Sequence, residues 1–205
     1  LGDNTTGDNN TAIGRQALRL NTTANNNTAV GFSSMQYNTT AADNSAYGAY
    51  GLRNNTTGQY NTALGSNSLY SNTTASNNTA VGYLALYANT TGTQNVAVGD
   101  SAGDAITTGS YNTLIGRNAG GAMTTGDFNT FLGRSSGSAV TTGSENTIVG
   151  SFNGNQGGLD IRTSNNNIVL SDGDGEPLTW IQGNGSTNHY GDPSGLGDYI
   201  ATWNM

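Results

Sequence analysis

Residues 78–94 read NTAVGYLALYANTTGTQ, and the next residue, Asn95, opens the same motif again as NVAVG. Outward from this segment the pentad occurs nine times, with first residues Asn10, Asn27, Asn44, Asn61, Asn78, Asn95, Asn112, Asn129 and Asn146. Every interval is 17 residues. Copies that keep phase without one insertion predict a stack in which each copy is one turn and slippage is not tolerated. A second landmark keeps a fixed offset: Thr-Thr followed by Ala or Gly, starting at Thr5, Thr22, Thr39, Thr56, Thr73, Thr90, Thr107, Thr124 and Thr141. The pentad places an aliphatic or aromatic residue on one face of a short strand and small residues on the other, and its closing Gly suits a corner. Asn, Thr and Gly are poor helix formers, which sets aside a helical repeat. The expected fold is all-β: a parallel β-solenoid, or β-roll, of 17-residue turns over residues 1–150. Its Asn residues would form an amide ladder.

Composition agrees with order built from backbone and amide ladders. Only 33% of the 205 residues are hydrophobic and 9% charged, while Gly contributes 31, Asn 30 and Thr 30. The net charge is −7, and the six Arg are scattered singly at Arg15, Arg19, Arg53, Arg117, Arg134 and Arg162. Nucleic acid needs a clustered cationic face and is not an expected partner. There is no Cys, hence neither a disulfide framework nor a thiolate metal site. No apolar run is long enough to insert into a membrane and no signal peptide is visible. A chain opening at Leu1 without Met reads as a piece of a longer polypeptide.

The stack changes partway. In the first five turns the eighth residue after the pentad Asn is Leu18, Met35, Leu52, Leu69 and Leu86, and the eleventh is Asn21, Asn38, Asn55, Asn72 and Asn89. In the next three turns these become Gly103, Gly120 and Gly137, and Ile106, Met123 and Val140. The apolar anchor has moved along the turn, which predicts a change of cross-section near residue 100. The 17-residue interval ends after Gly150; the next pentad-like segment starts at Asn167, 21 residues after Asn146. Residues 151–175 read as an irregular transition with a final β segment. Within it the stretch SFNGNQGG is a loop by composition, and Asp172-Gly173 with Asp174-Gly175 mark a hairpin turn. Residues 176–205 gather aromatics and form a non-repetitive cap or small terminal module.

The N-[TS]-A-[VIL]-G pentad with its Gly corner resembles the head repeats of trimeric autotransporter adhesins. The longer form NTAVGYLALYANTTG, residues 78–92, is more similar to repeats in bacteriophage tail-fibre proteins, in which a segment like NIVLSDGDG, residues 167–175, often ends the repeat block. The resemblance covers residues 4–175. It implies a homotrimer of left-handed parallel β-rolls that serves as shaft or head in host attachment, extracellular or on a virion. The receptor would be a cell-surface glycan or protein. No catalytic residues and no cofactor follow from it.

Candidate chemistry is sparse. Trp180, His189, Tyr190, Tyr199 and Trp203 are candidate ligand contacts, because aromatic rings stack on sugars. Ser186, His189 and Asp192 are close in sequence, but a triad needs geometry that spacing does not show. Asp172, Asp174 and Glu176 suggest calcium less well than a turn. Asp43, Asp100, Asp104, Asp127 and Glu145 occupy different offsets, so no acidic groove of the kind glycoside hydrolysis requires is expected, and the chain is not read as an enzyme. Sequons at Asn21, Asn38, Asn55, Asn72 and Asn89 follow from the need for ladders. The leading expectation is a structural fibre segment that presents a receptor-binding tip. The alternatives are an ice-binding protein, a self-assembling surface filament or a bacterial adhesin. Against ice binding, adjacent Thr-Thr pairs on a strand would point to opposite faces.

Overall fold

The computed structural model describes residues 2–189. These form an all-β parallel solenoid with 17-residue turns, and no helix occurs among the described residues. Nine strands of three residues, β1 (Thr11–Ile13), β2 (Thr28–Val30), β3 (Ser45–Tyr47), β4 (Thr62–Leu64), β5 (Thr79–Val81), β6 (Val96–Val98), β7 (Thr113–Ile115), β8 (Thr130–Leu132) and β9 (Thr147–Val149), stack in sequence order. Each pairs in parallel with the next in strict register, from Ile13 opposite Val30 to Leu132 opposite Val149. The expected single column of pentad aliphatics is present.

Counting each turn from its pentad Asn as position 1, the strand occupies positions 2–4 and stops at the Gly of position 5. That Gly has φ between 113° and 145° in these nine turns. A Cβ on Gly82 would lie 2.3 Å from the carbonyl oxygen of Gly99 in the next turn, so a side chain here would prise the rungs apart. The remaining backbone also bonds from rung to rung: the N–H of Leu18 donates to Ser34, that of Leu20 to Gln36 and that of Thr22 to Thr39. Short strands are therefore enough, because nearly the whole turn contributes to the ladder.

The interior is narrow. In turns two to five, Ala29, Ala46, Ala63 and Ala80 at position 3 face Met35, Leu52, Leu69 and Leu86 at position 9, all fully buried. These position 9 residues sit at φ of 47° to 52°, a left-handed conformation that costs a bulky residue about 1–2 kcal/mol. Beyond residue 100 the same backbone position holds Gly103, Gly120 and Gly137 at φ of 60° to 64°. Burial passes to Ile106, Met123 and Val140 at position 12 and to Leu114, Phe131 and Ile148 at position 3. A Cβ on Gly137 would lie 2.4 Å from the ring of Phe131. The expected change of cross-section is thus a change of filling: position 9 keeps its backbone conformation, and volume enters from other positions.

The repeat does not end at Gly150. β12 (Ile168–Ser171) pairs in parallel with β9 as a tenth rung, Leu170 opposite Val149. The extra residues of the ninth turn are absorbed by a hairpin of β10 (Asn155–Gln156) and β11 (Leu159–Asp160), turning at Gly157 and Gly158 with φ of 55° and 79°. Ile161 then returns to the core and the Thr141 N–H bonds Arg162, restoring register. The stretch read as a loop is therefore an ordered hairpin. After β12 the chain reverses: β13 (Pro177–Ile181) pairs antiparallel with β12, and β14 (Thr187–His189) with β13, all in the same sheet. Of residues 176–205, those from 190 onward lie outside the described residues.

Candidate functional surfaces

The pentad Asn residues point inward. The amide oxygen of Asn10 accepts both the backbone N–H of Asn27, at 3.0 Å, and its side-chain Nδ2, at 3.3 Å. Asn44, Asn61, Asn78, Asn112 and Asn129 repeat both bonds to the rung before, while Asn95 and Asn146 repeat the backbone one. Each Nδ2 from Asn27 to Asn129 also crosses its own turn to the carbonyl of position 15, as Asn44 does to Gly58 at 2.9 Å. A second, parallel column is formed by Asn21, Asn38, Asn55, Asn72 and Asn89, each donating to the Asn 17 residues earlier. These five are fully buried, so their sequons are not glycan acceptors in the folded chain. The second column ends at Asn89, whose Oδ1 has no partner because Ile106 occupies the next place.

The first column has a different end. Asn167 bonds Asn146 through both its N–H and its Nδ2, and its own Oδ1 accepts the indole Nε1–H of Trp180 at 2.9 Å. Trp180, a candidate ligand contact from sequence, is half-buried, and that bond closes the ladder. His189 is exposed on β14, with Nδ1 3.3 Å from the Thr179 hydroxyl. Tyr190, Tyr199 and Trp203, together with Asp192 of the candidate triad, lie outside the described residues. Asp172 Oδ1 accepts the N–H groups of Asp174, Gly175 and Glu176, so this carboxylate organises the β12–β13 turn. No group of three or more His, Cys, Asp or Glu converges among the described residues.

Three outward surfaces remain. On the strands, position 3 is buried and positions 2 and 4 face out, so the large pentad residues are on the surface: the aliphatic Ile13, Leu64, Ile115, Leu132, Val149 and Leu170, with Tyr47 among them, are 38% to 59% exposed. At the Thr-Thr corner neither side chain enters the core. The first Thr, half-buried from Thr22 through Thr141, donates its hydroxyl to the carbonyl one rung on, as Thr22 does to Thr39 at 3.1 Å. The second, from Thr6 through Thr142, is exposed on every turn. The opposite-face expectation fails because the pair lies on a bend, where strand alternation does not apply.

The third surface lies past the Gly corner, on turns two to five. Phe32 meets Tyr50 edge-on at 5.2 Å, Tyr50 meets Tyr70 at 6.3 Å, and Tyr70 stacks on Tyr87 at 5.2 Å. Arg53 lies over the rings of Tyr37, Tyr50 and Tyr70 at 5.1 to 5.7 Å. Its Nε donates to Gln36 Oε1 and its Nη1 to the Tyr70 hydroxyl, at 3.1 and 2.7 Å. The sequence shows Tyr37, Tyr60, Tyr70, Tyr87, Tyr111 and Phe128 as aromatics outside the pentad column, suited to burial against a neighbouring copy; it does not show that three of them meet Phe32, Tyr50 and Arg53, because the members of the cluster occupy positions 6, 7, 10 and 11 in different turns.

No protein-family model, curated protein or solved structure matches the chain.

Proposed function

We propose that the chain is a structural segment of an extracellular fibre, of the phage tail-fibre or adhesin kind, in which copies associate side by side as a homotrimer and hold a receptor-binding tip away from a virion or cell. The observation that carries this reading is the aliphatic column on the outer strand face. It runs through all ten parallel rungs, from Ile13 to Leu170, beside the outward residues of position 2. A continuous apolar stripe of this length is costly in water and supports burial against a partner over the whole rod. A rod of constant repeat suits a spacer, since adding turns changes length and nothing else.

Two measurements test it. Sedimentation equilibrium of the chain is expected to give three times 21.0 kDa, and Leu64→Asp with Leu132→Asp is expected to reduce that mass while leaving the β-sheet circular dichroism unchanged. A stable, folded monomer of the parent chain overturns the trimer. Immunogold labelling with antibody to the chain is expected to decorate thin fibres on the outside of the source particle or cell; label confined to the interior overturns the fibre reading.

One observation favours a second reading, binding to an ordered lattice such as ice: the exposed Thr of the corner recurs on every turn from Thr6 to Thr142. Thermal hysteresis in the parent chain, abolished by Thr74→Tyr with Thr108→Tyr, is the expected result under that reading, and its absence removes it.

A further inference from the structure

We propose that the aromatic cluster on turns two to five is a lateral binding site for an extended acidic polysaccharide, with sugar rings stacked on Tyr37 and Tyr87 and a sugar carboxylate held by Arg53. The proposal goes beyond the spacer role and does not depend on it.

Extent is the first argument. The aliphatic column continues along the whole rod, as packing between copies requires, but the aromatic surface is local. At position 10 the series runs Arg53, Tyr70, Tyr87 and then Asp104, Gly121, Ser138; at position 6 it turns to Asp100, Arg117 and Arg134. A patch that begins and ends within one rod is organised as a site. It spans three rung spacings, roughly 14 Å, the reach of a short run of sugars in an extended glycan.

The chemistry of the surface selects the ligand. Phe32, Tyr37 and Tyr87 are 36% to 37% exposed; Phe32 and Tyr87 are linked through the half-buried Tyr50 and Tyr70, and Tyr37 joins them through Arg53, so ring faces are presented by a shared support. Backbone groups beneath them are already used from rung to rung: Tyr37 N–H bonds Arg53, Tyr50 N–H bonds Phe32 and Asn54 N–H bonds Tyr70. An added peptide strand would therefore find no free ladder here. C–H faces of sugars need only the rings. Arg53 supplies the charge preference, because every partner it has on this surface is neutral: Gln36, the Tyr70 hydroxyl and three rings. Both described ion pairs lie elsewhere, at Arg117–Asp100 and Arg162–Asp160. A guanidinium fixed over rings and without a carboxylate is a receptor for one. Arg15, over Phe32 at 5.7 Å, adds a second cation at one end.

The test is affinity electrophoresis of the full chain in gels containing sodium alginate, with neutral hydroxyethylcellulose and oligo-dT as comparisons. Alginate is expected to retard the parent chain more than hydroxyethylcellulose does. Tyr37→Ala with Tyr87→Ala is expected to weaken alginate binding by about tenfold, on the scale of one lost stacking contact or two. Tyr111→Ala with Phe128→Ala, which removes the separate stacked pair on the next turns, is expected to bind alginate as the parent does. Arg53→Gln is expected to abolish the preference for alginate over the neutral polymer. No retardation by alginate, undiminished binding in the Tyr37/Tyr87 variant, or stronger retention by oligo-dT overturns the proposal. A fall in solution mass of the Tyr37/Tyr87 variant overturns it too, since the patch would then be an interface between copies. None of these results changes the immunogold test of the fibre reading.

Discussion

Single amides and carboxylates in this rod have unequal importance that follows from where their columns end. Asn55 lies mid-column, donating to Asn38 and accepting from Asn72. Asn55→Ala leaves the buried Oδ1 of Asn38 without a donor and is expected to cost about 2–3 kcal/mol. Asn89 is the last member and its Oδ1 is already unpartnered. Asn89→Ala only moves that defect down one rung, to Asn72, and is expected to cost about 1 kcal/mol; urea midpoints of the two variants compare them. Asp104 shows the reverse of a ladder residue. Burial pushes its carboxyl above the ordinary value of 3.8, desolvation being the largest cause and the Asp100 charge adding to it. A raised carboxyl holds its proton more tightly in the folded chain. Its contribution therefore favours folding below the ordinary value and is lost as pH rises through the shifted one. Asp104→Asn is expected to be more stable than the parent at neutral pH, and the gap to close at about pH 3, as read by thermal melts. Asp160 has the opposite sign. Hydrogen bonding to Arg162 lowers it to about 2, so its contribution is present above 3.8 and lost as pH falls through about 2, equally in both chains.

At the scale of the strand and turn, positions 3 and 9 share one space. In turns one to five position 3 is Ala and position 9 is Leu or Met; where position 3 is Leu114, Phe131 or Ile148, position 9 is Gly, and in the sixth turn Ala97 goes with Gly103, beside which Leu114 reaches in from the next rung. Gly137→Leu alone drives a side chain into the Phe131 ring and is expected to destabilise by about 3 kcal/mol. Adding Phe131→Ala rebuilds the filling of turns two to five and is expected to recover most of that loss, a coupling read from a double-mutant cycle. This pairing also explains what the sequence did and did not reveal. The period, the register and the columns were legible because each turn repeats them. Alternation in the pentad showed two faces, but not which one looks inward. In most sheets the larger residue of such a pair faces the core. Here the interior is filled by Leu69 and its equivalents reaching in from the turn, so Ala takes the inside and Val, Leu or Ile the outside. The hairpin at β10–β11 was illegible for a related reason: Gly157-Gly158 signals a turn, but four surplus residues become visible as an insertion only once Ile161 is seen back in its column. The Trp180 bond to Asn167 joins two residues 13 apart with no periodic signal between them.

For the molecule as a whole, long-range order comes from contacts between successive turns, so each rung depends on its two neighbours and hardly on the rest. The candidate ligand residues of the tail stand out in the sequence because they break the repeat, whereas the aromatic surface of turns two to five is embedded in it. A repeat that conceals variation in its outward positions can carry a binding surface at no expense to its ladder. The hydrogen bonds between rungs run along the axis of the rod, and this gives the structure a definite response to force. Tension on the two ends of one chain would peel rungs in succession instead of shearing a sheet. Each 17-residue turn would release about 58 Å of chain at similar load. Single-molecule pulling is expected to trace a regular sawtooth, with one longer tooth, about 14 Å greater, where the 21 residues between Asn146 and Asn167 come away with the β10–β11 hairpin. That odd tooth is a fiducial mark: it reports from which end the rod is unravelling.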